Sequence, residues 1–268
     1  MFLRRAVLAG GAALFAAGAV KHSEEDSSVS AVSWPPAFTR HWDSNWDRRE
    51  PRSLINLTDL NGNKEDLKWK LKKYKARARR TIFLVRHGQY NVAGETDSEK
   101  VLTPLGREQA NLTGQRLANL GYTYTDMTYS TLQRAKETSE IIGRHLQGVT
   151  QTGSDLLREG APIRPDPSSD WKPDVLYFKD GPRIESAFRS YIHRADYEQK
   201  DESYEIIVCH DNVIRYLVCR ALQLPPEAWL RMDLNHGSIT ELVIHYNGRV
   251  TLRMLGEAGY MPASKLSC

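Results

Sequence analysis

T-I-F-L-V-R-H-G, residues Thr81 to Gly88, is an apolar, β-prone run that stops abruptly at an arginine, a histidine and a residue without a side chain. Its composition predicts a buried strand, and open α/β sheets bind ligands just beyond the carboxyl ends of their strands. Arg86 and His87 would then be delivered into a crevice, where an imidazole can attack phosphorus and a guanidinium can hold phosphate oxygens in a fork of N–H donors. Gly88 lets the backbone turn closely beside a ligand.

A second segment repeats this layout. E-I-I-V-C-H, Glu205 to His210, ends a predicted strand in a histidine, and D-N-V-I-R-Y-L-V-C-R-A-L follows. Val213, Leu217 and Ala221, with Ile214, Val218 and Leu222 beside them, form the apolar stripe of a helix packed on a sheet. His210 therefore lies near a helix N-terminus, a favourable place for an anion. A third strand at Asp126 to Tyr129 leads into S-T-L-Q-R-A-K-E-T-S-E-I-I, where Ser130 or Thr131 is the expected N-cap and Ala135, Ile142 and Leu146 face inward. Arg134 falls in the first turn of that helix and can point back over the strand ends. In L-T-P-L-G-R-E-Q-A, Leu102 to Ala110, Thr103 reads as N-cap and Pro104 as the first helical residue. Gly106, Ala110 and Gly114 then recur every four residues, a stripe expected to seat this helix close on its sheet.

The 268-residue length suits one substantial α/β domain with appendages, and 40% hydrophobic residues can supply its core. The formal net charge of +4 is mild. No internal repeat or nucleic-acid-binding module is evident. The basic excess gathers between Lys64 and Arg80, where Leu67, Leu71, Tyr74 and Ala78 share a helical stripe and cations occupy the other faces. A solvated helix on the domain is the favoured reading, ahead of contact with anionic lipid or an acidic partner. Cys209 and Cys219 read as buried free thiols, with no spacing that suggests zinc.

Arg4 and Arg5 precede an uncharged run from Ala6 to Val20. As a helix it would be about 22 Å long, short for a ~30 Å hydrocarbon core unless Phe2 and Leu3 join it. A cleaved secretory signal competes with a membrane anchor, and the reduced-looking cysteines weigh against secretion. From Lys21 to about Thr39 the chain is polar and aperiodic, as a tether would be. Trp42 and Trp46 follow, among Asp43, Asn45, Asp47, Arg48 and Arg49. Large aromatics in such a setting dock, either on their own domain or on a neighbour. The Pro-rich stretch from Pro162 to Pro182 is long for a connection and is placed to shape a substrate entrance.

R-H-G, L-T-x-x-G-x-x-Q-A, S-x-x-x-R-A-x-x-T, R-E-G and V-C-H-x-N-V-I-R occur in the order seen in the histidine phosphatase superfamily, and the chain resembles that family from about Thr81 to Leu255. The resemblance implies its fold, a phosphoglycerate mutase-like three-layer sandwich whose mostly parallel central sheet carries helices on both faces. It implies His87 as nucleophile, forming a phosphohistidine, and Arg86, Arg134, His210 and Gly88 as the phosphate-binding set. Glu159 would give a proton to the leaving alkoxide. No metal or cofactor belongs to this scheme.

Upstream, W-D-S-N-W-D-R-R-E-P is similar to the segment that precedes the catalytic domain in the mitochondrial serine/threonine phosphatase branch of this superfamily. That similarity implies an anchor over residues 1–21 in a mitochondrial membrane, inner preferred over outer. It also implies a linker over 22–61 whose Trp-containing motif (42–50) assembles dimers into higher homo-oligomers and promotes activity, a catalytic domain over 62–268, and phosphoserine or phosphothreonine proteins as substrates. A small-molecule phosphatase or mutase is the first alternative and an assembly scaffold with weak activity the second. The mutase motifs E-R-x-Y-G-x-L and an Asn in register after R-H-G are missing, since Asn91 lies elsewhere. Asp211 is unusual, because relatives commonly carry Gly or Ala there. A carboxylate beside bound phosphate would repel it, so Asp211 is expected to turn away as an N-cap.

Overall fold

Strand β1, Arg80–Arg86, is buried along its whole length and lies near the middle of a six-stranded sheet. In the computed structural model, which describes residues 41–56, 64–169 and 173–268, the other strands are β2 (Asp126–Ser130), β3 (Thr150–Ser154), β4 (Ser203–Cys209), β5 (Ile239–Ile244) and β6 (Val250–Glu257). Their order is β3-β2-β4-β1-β5-β6. Neighbours run parallel from β3 to β1, whereas β5 is antiparallel to β1, and β6 to β5. The sheet is thus mixed. The antiparallel end comes from a tight hairpin that the sequence reading did not single out, with Gly248 at φ +83° after Asn247 and His245 N–H donating to Arg249 O at 2.8 Å.

Both faces of the sheet are covered, which is why β1 reads as a continuous apolar run rather than an alternating one. On one face Ile82, Leu84 and Ile207 meet Ile184 and Phe188 of α4 (Asp174–Tyr191) and Val213 and Leu217 of α5 (Asp211–Ala221). On the other, Phe83, Val85, Ile206 and Val208 meet Leu117 of α2 (Pro104–Asn119) and Ala135 and Ile142 of α3 (Gln133–Gly143).

Helix α2 starts as its sequence predicts, with Gly106 N–H donating to Thr103 Oγ1 at 3.0 Å and Pro104 next in line. The small-residue stripe faces elsewhere than expected. A Cβ on Gly106 would lie 1.9 Å from Gln89 O, and one on Gly114 would lie 2.5 Å from the His145 ring. The stripe therefore seats α2 on the loop after β1 and on the end of α3, not on the sheet. The cap of α3 also differs. Leu132 holds the cap position, and the Gln133 N–H goes to Asp97 Oδ2 at 3.1 Å, an acceptor supplied by a distant loop.

The basic stretch is helical only over Lys64–Lys73, named α1. Ala76 and Ala78 are buried in the segment that follows, and Arg80 opens β1 with its guanidinium on Glu205 of β4. Strand pairing there overrides helical periodicity. The second half of the Pro-rich stretch is likewise helical, since α4 begins at Asp174 and contains Pro182.

The segment after residue 41 docks on its own domain. Trp46 packs its ring, tilted by 38°, at 5.7 Å from that of Phe188 and donates its indole N–H to Gly248 O at 2.8 Å. Asp47 pairs with Arg194 at 2.7 Å, both side chains almost fully buried. Asp43 exchanges backbone bonds with the Gln223 amide, while Trp42 remains 39% exposed. The expected anchor and most of the tether lie outside the described residues. Among the described residues no helix is long and apolar enough to cross a membrane.

Because the contact at Gly106 is with backbone, Gly106→Ala is expected to destabilise the fold by about 1–3 kcal/mol. Chemical denaturation checks this, and an unchanged midpoint would refute the close-approach account.

Candidate active site

Register decides what meets at the sheet's carboxyl end. Arg86 of β1 pairs with Cys209 of β4, so the next residues, His87 and His210, leave adjacent parallel strands side by side. Their ring centroids are 5.0 Å apart, and His87 N–H donates to Cys209 O at 3.0 Å. Ser130, ending β2 one strand further on, has its Oγ 2.8 Å from His210 Nε2.

His87 is held in one tautomer. Its Nδ1 lies 2.8 Å from Gly88 O, and a carbonyl can only accept, so Nδ1 carries the hydrogen. The lone pair is then on Nε2, which accepts from Arg134 Nε at 3.1 Å. Burial pushes the His87 pKa well below its ordinary value, and His210 and Arg134 add to the effect. His210 is depressed in the same way by burial and then by Arg134. Both imidazoles are neutral at physiological pH.

Arg134 sits where the first-turn position put it, and its guanidinium lies over the Tyr90 ring at 4.6 Å. Tyr90 meets the His87 ring edge-on at 5.2 Å. Arg86 donates to Leu234 O. Among the described residues, the buried nitrogens Arg86 Nε, Arg215 Nε, His210 Nδ1 and His236 Nε2 have no hydrogen-bond partner. A cavity of about 430 Å³ is lined by Arg86, His87, Arg134, Glu159, Asp211 and Arg215, among others.

Gly88 has a different place from the one expected. Its N–H donates to Thr138 Oγ1 at 3.1 Å, and a Cβ there would lie 2.4 Å from Gly106 O. It serves the approach of α2 and does not line the cavity.

Glu159 stands on the cavity wall, with Oε2 3.8 Å from His210 Nδ1. Arg183 fixes its loop by donating to the carbonyls of Leu156 and Glu159, each at 3.0 Å. Burial, and then the charge of Asp211, push the Glu159 carboxyl up to about 8. Arg158 pairs with Asp155, leaving Glu159 to the cavity.

Asp211 corrects the sequence reading. The cap position belongs to His210, and Asp211 is the first helical residue. Its Oδ1 accepts from Asn212 N–H at 3.0 Å, but Oδ2 turns into the cavity, 3.4 Å from Arg86 and 3.3 Å from Arg215. Two guanidiniums make that orientation favourable. Burial alone would raise the Asp211 pKa, yet Arg86 and Arg215 hold it below its ordinary value.

Arg215, Tyr90 and His236 were not singled out from sequence, and Ser130 was read only as a helix cap. Arg215 carried one signal: it lies four residues after Asp211, hence on the same helical face. Among the described residues no cluster of three or more His, Cys, Asp or Glu side chains is arranged to hold a metal ion.

This arrangement agrees with what similar proteins are. The model of the histidine phosphatase superfamily (branch 1) matches residues 82–161 and 181–256. The serine/threonine-protein phosphatase PGAM5, mitochondrial, of Xenopus laevis is 58% identical over 273 residues, covering 100% of this chain and 99% of its own. The Homo sapiens protein of that name is 56% identical, covering 97% and 95%. Among solved structures, a putative α-ribazole-5′-P phosphatase from Escherichia coli superposes with a TM-score of 0.52 over 68% of this chain and 97% of that one, at 21% identity, a likeness of fold alone. With its motifs in order and its strand-end histidines side by side, this chain belongs to branch 1 of the histidine phosphatase superfamily.

Proposed function

We propose that this chain is a serine/threonine phosphatase for phosphoproteins that works through a phosphohistidine on His87. The observation that carries the reading is the fixed tautomer of a buried, neutral His87, whose lone-pair nitrogen faces Arg134 while Arg86 and His210 stand alongside. Nε2 attacks phosphorus and the bond from phosphorus to the seryl or threonyl oxygen breaks. The guanidiniums of Arg86 and Arg134 stabilise the charge spread over the phosphoryl oxygens, with His210 beside them. Glu159, protonated because it is partly desolvated beside Asp211, passes its proton to the departing alkoxide. Water then attacks the phosphohistidine and yields a proton to the Glu159 carboxylate, which restores both groups. The names of the similar Xenopus laevis and Homo sapiens proteins support phosphoprotein substrates and a mitochondrial location. The apolar run Ala6 to Val20 supports a single-pass anchor in a mitochondrial membrane, the inner one preferred.

Assembly into homo-oligomers through Trp42, Asp43, Asn45, Trp46, Asp47, Arg48 and Arg49 belongs to the same reading. The docking of Trp46 and Asp47 supports it, because contacts a segment makes on its own domain can equally be made on a copy when the segment is exchanged between chains.

Incubation with a labelled phosphoserine peptide is expected to leave acid-labile phosphate on His87. His87→Ala should lose this label and at least about 10³-fold in turnover; hydrolysis retained by that variant sinks the mechanism. Parallel assays with phosphoglycerates separate this reading from a small-molecule one. The Glu159 carboxyl must be protonated to act as acid, so kcat on phosphopeptide should fall as pH rises through about 8. Glu159→Gln should lower it about 10²–10⁴-fold at neutral pH and remove that limb, whereas a flat profile in the parent enzyme would contradict the assignment. Asp47→Ala, which unpairs Arg194, should reduce the mass seen by light scattering; an unchanged mass refutes assembly through this segment.

A further inference from the structure

Asp211 does more in this site than the phosphatase chemistry requires. It presents one carboxylate to Arg86 from β1 at 3.4 Å and to Arg215 from its own helix at 3.3 Å. Asn212 N–H fixes its other oxygen at 3.0 Å, and it lines the same cavity as Glu159, which comes from the loop after β3. Two carboxyl groups facing one cavity repel each other when both are ionised, which favours one proton on the pair. The surroundings decide which group holds it. Asp211 has the two guanidiniums, while Glu159 has burial and the negative charge of Asp211. The proton therefore resides on Glu159.

We propose that Asp211 is a positioning residue for proton donation: held by Arg86 and Arg215, it keeps the Glu159 carboxyl loaded and aimed in the cavity so that poor, alkoxide leaving groups can depart. This rests on the assignment of Glu159 as proton donor. When the bond from phosphorus to the substrate oxygen breaks, the Glu159 hydrogen passes to that oxygen. Asp211 stays ionised throughout, its charge matched by the arginines. Other charged or titratable groups face the pair: Arg134 from α3 works against protonation of Glu159, Asp233 shares Arg215 at 3.5 Å, His210 lies 3.8 Å from Glu159, and His236, before β5, is kept neutral by burial and Arg86.

The inference specifies leaving-group chemistry, and that makes it testable. Asp211→Asn keeps the shape and removes the charge. Glu159 should then lose its proton more easily, and the alkaline limb of kcat on a phosphoserine peptide should move down by about one pH unit or more. p-Nitrophenyl phosphate releases a stable phenolate that needs no proton, so at pH 7.5 the loss on peptide should exceed the loss on this ester by about tenfold or more. Asp211→Glu, which retains the charge, should recover part of both effects. An unmoved limb, or equal losses on the two substrates, overturns the proposal. Glu159→Gln separates this from the reading beneath it. If that variant slows both substrates equally, Glu159 is not the acid and both ideas fall. If it discriminates between them while Asp211→Asn does not, only the role of Asp211 falls.

Discussion

The parallel pairing of β1 with β4, in the register that sets Arg86 opposite Cys209, is the constraint on which this site depends. A slip of one residue would turn one imidazole to the other face of the sheet. The register is held by fully buried residues on both faces and, at the far end, by Arg80 on Glu205. Packing thus sets the spacing of two side chains that no covalent link joins. Everything else in the site is measured from that pair: Arg134 reaches His87 from the first turn of α3, and Ser130 reaches His210 from the adjoining strand.

The second theme is charge compensation in a place poor in water. Several guanidiniums in one cavity would depress a neutral fold, and bound anion is one answer to them. Asp211 is another, built into the chain. The same carboxylate that balances Arg86 and Arg215 also keeps a neighbouring acid protonated. Two carboxyl groups lining one cavity acquire opposite roles because their surroundings differ, not their chemistry.

How much of this was legible in the sequence follows the reach of each interaction. β1, β4 and their terminal histidines were readable because strand composition and the residue that ends it are local. So were the Thr103 cap and the Pro104 start of α2. The cap of α3 was not, because its acceptor, Asp97, arrives from a loop that no period in the α3 sequence encodes. The orientation of Asp211 failed for the same kind of reason: an isolated carboxylate at a helix start turns to its own backbone, but here two arginines compete for it and one of them comes from β1. Periodicity overreached between Lys64 and Arg80, where the pairing of Arg80 with β4 demands extended chain. The family resemblance supplied Glu159, which nothing local distinguishes from other acidic residues, and it also attached to Gly88 a phosphate role that its N–H, bound to Thr138, does not fill.

Trp46 and Asp47 grip Gly248 and Arg194. Gly248 lies in the turn after Ile244, which pairs with Arg80 at the start of β1, so one of these grips is at the end of the sheet remote from His87. The seven residues of β1 separate the two poles by about 23 Å at ~3.3 Å per residue. A mechanical load entering from the N-terminal side is therefore borne at the wrong pole to disturb the histidines, and the sheet between acts as a stiff spacer. The chain is fastened a strand's length away from its chemistry.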